Sequence, residues 1–317
     1  MKAPPALTPR IIVRRDPGWP AELSDLSQCP ERLWLLGAAE HRPPGVAVVG
    51  SRRATLAGLD IAAWLGRSLA EAGVQVISGM ALGIDGAAHR GALAGGGTTV
   101  AVLGCGIDIC YPPRHAPLRR RIIDAGLLIT EEPPGTPALA YHFPKRNRII
   151  AALCAAVIVV EASERSGALS TARHAADLGR EVLAVPGSIR NPAAIGCNLL
   201  LRDGATPLLR IPDLFDAVPA LRAHAASVAC ADGARSPSGQ RGDRLLRLLG
   251  PDPVHPDDLA SELGLSAQKV ATRLTQLEIA GLVATIGGGL VVRRHQIGPG
   301  PVGPAAGGGR SVPEPLL

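Results

Sequence analysis

From position 46 onward the chain alternates short unbroken apolar runs with longer segments whose apolar residues recur every three or four positions. The runs are Val46–Val49, Val74–Ile77, Thr99–Leu103, Leu127–Thr130, Val157–Val160 and Val182–Val185. They are continuous rather than alternating, as strands buried on both faces of a parallel sheet require. Between them lie amphipathic helices. Leu56–Ala72 presents Leu59, Ala63, Leu65 and Leu69, and Ser170–Leu178 ends at Gly179, a suitable residue just past a helix C-terminus. Repeated βα units with short connections predict right-handed crossovers and an α/β fold, a doubly wound, mostly parallel Rossmann-like sheet over residues 45–219.

The flanks have other patterns. Residues 1–44 form a Pro-rich lead with little periodicity, expected to pack on the core through Trp19, Leu33 and Trp34. Residues 220–242 are rich in Ala, Ser, Gly and Pro and read as a linker. Residues 243–295 then predict a small winged helix: helices over Asp243–Leu249, Pro256–Leu263 and Ala267–Ala280, then a hairpin of Leu282–Thr285 and Leu290–Arg293. The Gly/Pro-rich residues 296–317 read as a disordered tail.

Composition narrows the partners. A formal net charge of +6 favours an anionic partner, though weakly by itself. The six cysteines form no C-x-x-C pair and no zinc-ligand spacing, which fits a reducing compartment and no metal. The start, Met-Lys-Ala-Pro-Pro, has no signal-peptide core, and the longest apolar run, Ile149–Val160, is too short for a bilayer. The expectation is a cytoplasmic protein without membrane contact.

Candidate chemistry gathers in the loops that follow the strands. Gly50-Ser51-Arg52-Arg53 joins the first strand to a helix, where backbone amides and the helix dipole favour an anion and either arginine could grip phosphate. A tight turn with solvated arginines is the alternative. After the second strand, Asp85 and His89 share a helix face, but no third ligand or nucleophile accompanies them, so a network at the helix start is expected. The Gly104–Pro113 loop, which carries Tyr111, lacks the third glycine of a dinucleotide fingerprint, and no phosphate-binding G-x-x-x-x-G-K-[ST] loop occurs. No catalytic residue and no cofactor are therefore expected. Only seven aromatics occur in the chain (3 Trp, 2 Tyr, 2 Phe), yet Tyr141 and Phe143 lie in one basic stretch with Lys145, Arg146, Asn147 and Arg148. Rings beside cations suit stacked bases with paired phosphates, the chemistry of single-strand binding. A solvated helix start with Phe143 in the core would give the same composition. Ser166 and Gly167, and later Gly187 and Ser188, offer hydroxyls and amides to phosphate at further strand ends.

Taken in order, Gly50-Ser51-Arg52, the Ser78-to-His89 segment, Phe143-Pro-x-Arg146-Asn147-Arg148, Arg165-Ser166-Gly167, Val185-Pro186-Gly187-Ser188, Gly196-Cys197-Asn198 and Arg202-Asp203-Gly204-Ala205 resemble the DNA-processing protein A (DprA/Smf) family from about Trp19 to Ala217. The resemblance implies a homodimeric, non-enzymatic recombination mediator that binds single-stranded DNA. It also implies loading of RecA onto incoming strands during natural transformation, and help in passing single-strand-binding protein. Carried over by motif, Arg52 contacts phosphate, Phe143 stacks a base, and Lys145, Arg146 and Arg148 add positive charge or hold the fold. Asn147 either orients its loop or touches DNA. The helical N-terminal domain of many relatives is expected to be missing here or reduced to the short lead before Pro44. The winged helix is nearly balanced in charge, against a strong duplex reader. Two other classes stay open. One is a nucleotide-processing enzyme of the lysine-decarboxylase-like Rossmann family, whose P-G-G-x-G-T-x-x-E run is absent, and the other is a winged-helix transcription regulator.

Overall fold

The computed structural model describes residues 8–233, 245, 248–249, 254–279, 282–285 and 290–293. It divides into two compact units, Met1–Ser236 and Pro237–Leu317.

The first unit is built on a nine-stranded sheet. Its strands are β1 (Arg10–Val13), β2 (Arg32–Leu36), β3 (Gly45–Val49), β4 (Gln75–Ser78), β5 (Thr99–Val102), β6 (Leu127–Thr130), β7 (Ala156–Val159), β8 (Glu181–Ala184) and β9 (Thr206–Pro207). Their order is β1-β2-β6-β5-β4-β3-β7-β8-β9. Every pair from β6 to β9 is parallel, whereas β1 and β2 join antiparallel at one edge. The chain winds outward from β3 in both directions, so the topological switch point lies between β3 and β7.

The helices of this unit are α1 (Leu56–Glu71), α2 (Ile84–Ala94), α3 (Ala116–Ala125), α4 (His142–Ala152), α5 (Ala168–Asp177), α6 (Ile195–Arg202), α7 (Ile211–Ala217) and α8 (Pro219–Gly233). One face of the sheet packs Val49, Val102 and Val159 against Ile149, Ile150 and Leu169 of α4 and α5. The other packs Val46, Val48 and Ile158 against Leu65 and Leu69 of α1 and Ile84 and Ala88 of α2. Burial on both faces is why these strands are unbroken apolar runs. Glycines let α1 and α2 approach closely: a methyl at Gly66 would strike the Ala88 carbonyl, and one at Gly91 the Ala63 carbonyl.

Two expectations need correction. The lead contains β2, whose Leu33 and Leu35 pack on one sheet face and Trp34 and Leu36 on the other, so it is part of the sheet rather than a cover for it. The stretch read as linker forms helix α8 as far as Gly233, with Leu221 fully buried. Its alanines are strong helix formers and outweigh the neighbouring Ser and Gly that a tether would share.

In the second unit, α9 (Pro256–Leu263) ends at Gly264 in the left-handed conformation, φ 64°, and α10 (Ala267–Ile279) follows. Strands β10 (Val283–Thr285) and β11 (Val291–Arg293) pair antiparallel. Leu245, Leu249, Leu259, Val270, Leu274 and Leu277 form its core. Most of the expected Asp243–Leu249 helix, and the tail 296–317, lie outside the described residues.

Candidate nucleic-acid interface

A cleft of about 820 Å³ opens at the carboxyl ends of the parallel strands, over the switch point. Of the expected site residues, Gly50, Ser51, Arg52, Arg53, Phe143, Arg146, Asn147, Ser166 and Gly167 line it. Lys145, Arg148, Gly187 and Ser188 do not.

The β3–α1 turn faces inward more than its sequence suggests. Ser51 donates its N–H to the Glu161 carbonyl (2.7 Å), and Arg53 donates its own to Ser51 Oγ (3.1 Å). Thr55 caps α1 by accepting from the Gly58 N–H at 3.0 Å. The Thr55 N–H and hydroxyl both donate to the Glu161 carboxylate. Protein groups therefore already take the Thr55 and Gly58 amides at the start of this helix, and the close approach permitted by Gly50 is to Glu161 and Ile84. What the turn presents to the cleft is its pair of arginine side chains. Arg52 and Arg53 are exposed, and among the described residues neither has an acid within ion-pair distance.

Arg52 lies over the ring of Phe143, its guanidinium carbon 4.9 Å from the centroid. Tyr111 packs on the same ring at 5.3 Å with planes 32° apart. Tyr111, Phe143 and Arg52 thus form a stack at the cleft wall, with Tyr111 41% exposed. Sequence reasoning noted the Tyr111 loop without placing the ring in the site. Its scarcity was the available signal, since the chain has two tyrosines and two phenylalanines.

The basic stretch of α4 separates into different roles. Arg146 is buried, and its Nη1 donates to the carbonyls of Gly79 (2.7 Å) and Val102, which ties α4 to the ends of β4 and β5. Burial pulls this guanidinium down to about 10. Asn147 donates to the Gly167 carbonyl (3.2 Å) and Ser170 Oγ (2.9 Å), holding the loop before α5. Lys145 pairs with Glu132 (3.0 Å) and Glu131 (3.6 Å), and Arg148 with Glu131 (2.6 Å). Acids from the loop after β6 thus compensate two of the expected cations. Gly187 exchanges hydrogen bonds with the Asn198 side chain (3.2 and 3.0 Å), while nearby Pro192 and Ala193 reach the cleft instead.

Asp85 and His89 belong to the scaffold. Asp85 accepts from the Gly79 (3.1 Å) and Ala81 (3.3 Å) amides, which stabilises a loop where Met80 takes the unusual φ of 60°. Burial raises this carboxyl, against the pull of Arg146. His89 Nδ1 meets Thr99 Oγ1 at 2.7 Å, and burial lowers the ring to about 3. Among the described residues no group of three or more His, Cys, Asp or Glu is placed to hold a metal, and no helix is long and apolar enough to cross a membrane.

The sequence profile for DNA recombination-mediator protein A matches residues 10–219. The chain belongs to that family. A second profile, the DprA winged helix domain, matches residues 231–289. The family member "Putative DNA processing protein DprA" of Mycobacterium tuberculosis is 41% identical over 288 residues, covering 86% of this chain and 74% of its own. Protein Smf of Escherichia coli is 39% identical over 255 residues, with 79% and 68% covered. The X-ray structure of DprA from Streptococcus pneumoniae superposes with a TM-score of 0.63 at 39% identity, over 65% of this chain and 73% of that one. DNA processing protein A of Helicobacter pylori, whose structure addresses its single-stranded DNA binding mode, gives 0.59 at 28% identity, over 65% and 94%. The Rossmann-like DprA fold with an appended winged helix is thus the architecture of this chain.

Proposed function

We propose that the cleft binds single-stranded DNA, with Arg52 and Arg53 taking backbone phosphates and Phe143 and Tyr111 stacking bases. The observation that carries this reading is the placement of two exposed arginines with no ion-pair partner among the described residues in a cleft with an aromatic pair, Arg52 directly over the Phe143 ring. Cation and ring are the two elements a sequence-tolerant single-strand site needs. In the free protein Arg52 covers Phe143. A stacking base takes its place on the ring as the guanidinium moves to a phosphate, so the arginine serves both states. Ser166 and Gly167, which also line the cleft, extend the groove past the switch point.

The cellular role that fits is the family's: a cytoplasmic, homodimeric, non-enzymatic mediator that loads RecA onto strands entering during natural transformation and past single-strand-binding protein. Titration of labelled oligo-dT and a matched duplex across a salt series tests the binding. Single-strand preference is expected, with log affinity falling against log salt by about 0.7 per phosphate neutralised. Equal or stronger duplex binding would favour a regulator working through the second unit. RecA filament formation on strands coated with single-strand-binding protein, with and without the chain, tests the mediator role.

A further inference from the structure

In a doubly wound fold, the amino end of the helix after the first strand is where a nucleotide's phosphates dock, because unpaired amides and the helix dipole converge there. Here a carboxylate of the fold itself stands at that position, the start of α1. Glu161, two residues beyond the end of the neighbouring strand β7, is 7% exposed. Its carboxylate accepts from the Thr55 N–H at 2.9 Å and from the Thr55 hydroxyl. Its carbonyl accepts from the Ser51 N–H at 2.7 Å. Gly58 makes room for it, since a methyl at that position would collide with the carboxylate. A buried negative charge thus stands where a free nucleotide would place its own.

We infer that Glu161 is a specificity-determining residue that shuts mononucleotides, dinucleotides and pyrophosphate out of the cleft and leaves it to the internal phosphodiesters of a polymer. The residue acts in two ways. It repels a phosphate from the helix end by like charge, and it uses up donors that such a phosphate would need. It also fixes the turn from Ser51 to Thr55, so that Arg52 and Arg53 project outward. An internal phosphodiester carries one charge and can be met by those side chains at the cleft mouth, without entering the helix end. A terminal phosphate or pyrophosphate carries more charge and gains most from amides at a helix end, where the Thr55 and Gly58 N–H groups already have acceptors.

This inference rests on the cleft being the DNA site, yet part of its test needs no DNA. Calorimetric titration with inorganic pyrophosphate is compared between the wild-type chain, Glu161→Gln and Glu161→Met, both neutral and of similar volume. Pyrophosphate should bind either neutral variant about tenfold or more tighter than wild type, the scale expected for removing one like charge. A folded neutral variant with no gain would overturn the inference, whatever its DNA affinity. On the wild-type chain alone, 5′-phosphorylated and 5′-hydroxyl oligo-dT should bind equally, and millimolar ADP should not compete. A clear preference for the phosphorylated end, or displacement by ADP, would overturn it even if neither variant folds. Failure of all oligo-dT to bind, with pyrophosphate behaving as expected, would instead remove the DNA reading and leave the exclusion standing.

Discussion

Lys145, Arg146, Asn147 and Arg148 are consecutive on α4, yet they meet three different environments. Lys145 and Arg148 are compensated by Glu131 and Glu132, Arg146 is buried against two carbonyls, and Asn147 holds the next loop. Only Phe143, at the start of this stretch, joins the exposed arginines. Phe143→Ala should therefore weaken oligo-dT binding by about 1–3 kcal/mol, the scale of one stacked base, with little change in thermal midpoint. Arg53→Ala should lower the salt slope by about 0.7, one lost phosphate contact, in the same anisotropy titration. Arg146→Ala should behave differently. It strands the Gly79 and Val102 carbonyls and should cost about 3 kcal/mol of stability in urea unfolding. A well-folded Arg146→Ala chain with selectively lost DNA affinity would show that its guanidinium reaches the ligand after all. Charge in this stretch was legible from sequence. Its neutralisation was not, because the acids sit before a separate loop and reach α4 only through the fold.

At the scale of elements, the central strands were readable because burial on both sides leaves no polar position to blur the run. Leu33–Leu36 carries the same signature, but it is short and lies among prolines, which mark loops. Helix α8 is hidden for the opposite reason, since its small residues are those of a tether. The α2–β5 contact carries a pH prediction. His89 protonates near 6.5 when unfolded, but burial holds the folded ring at about 3. Between those values the unfolded chain binds more protons, so stability falls as pH falls, by at most about 1.4 kcal/mol per unit. His41 and His115 are lowered by burial as well and act in the same direction. Urea midpoints at pH 7 and pH 5 should show the loss, and His89→Gln should flatten part of it. An identical pH slope in that variant would assign the loss to other groups.

For the molecule as a whole, every described residue lining the cleft belongs to the first unit. The chain cut after Ser236 should therefore keep its single-strand affinity, and a large loss on truncation would move the site, or part of it, into the winged helix. The cleft residues come from the ends of several strands spread over more than a hundred positions of sequence. The doubly wound pattern predicted that such loops converge, and Gly50 to Arg53, Phe143 and Ser166 to Gly167 do so. Gly187 and Ser188 were expected on the same argument. Their loop is instead anchored to Asn198, eleven residues on, through side-chain bonds that neither periodicity nor turn chemistry announces.

The aromatic stack also has an optical meaning. The chain's three tryptophans, Trp19, Trp34 and Trp64, all lie outside the cleft, whose rings are tyrosine and phenylalanine. Tryptophan emission is consequently a reporter of the sheet and its flanking helices that bases stacking on Phe143 cannot quench directly. Unfolding can be followed by that emission, excited at the red edge of tryptophan absorption where the bases absorb little, with the oligonucleotide present, so a single optical channel can read how much the ligand stabilises the fold.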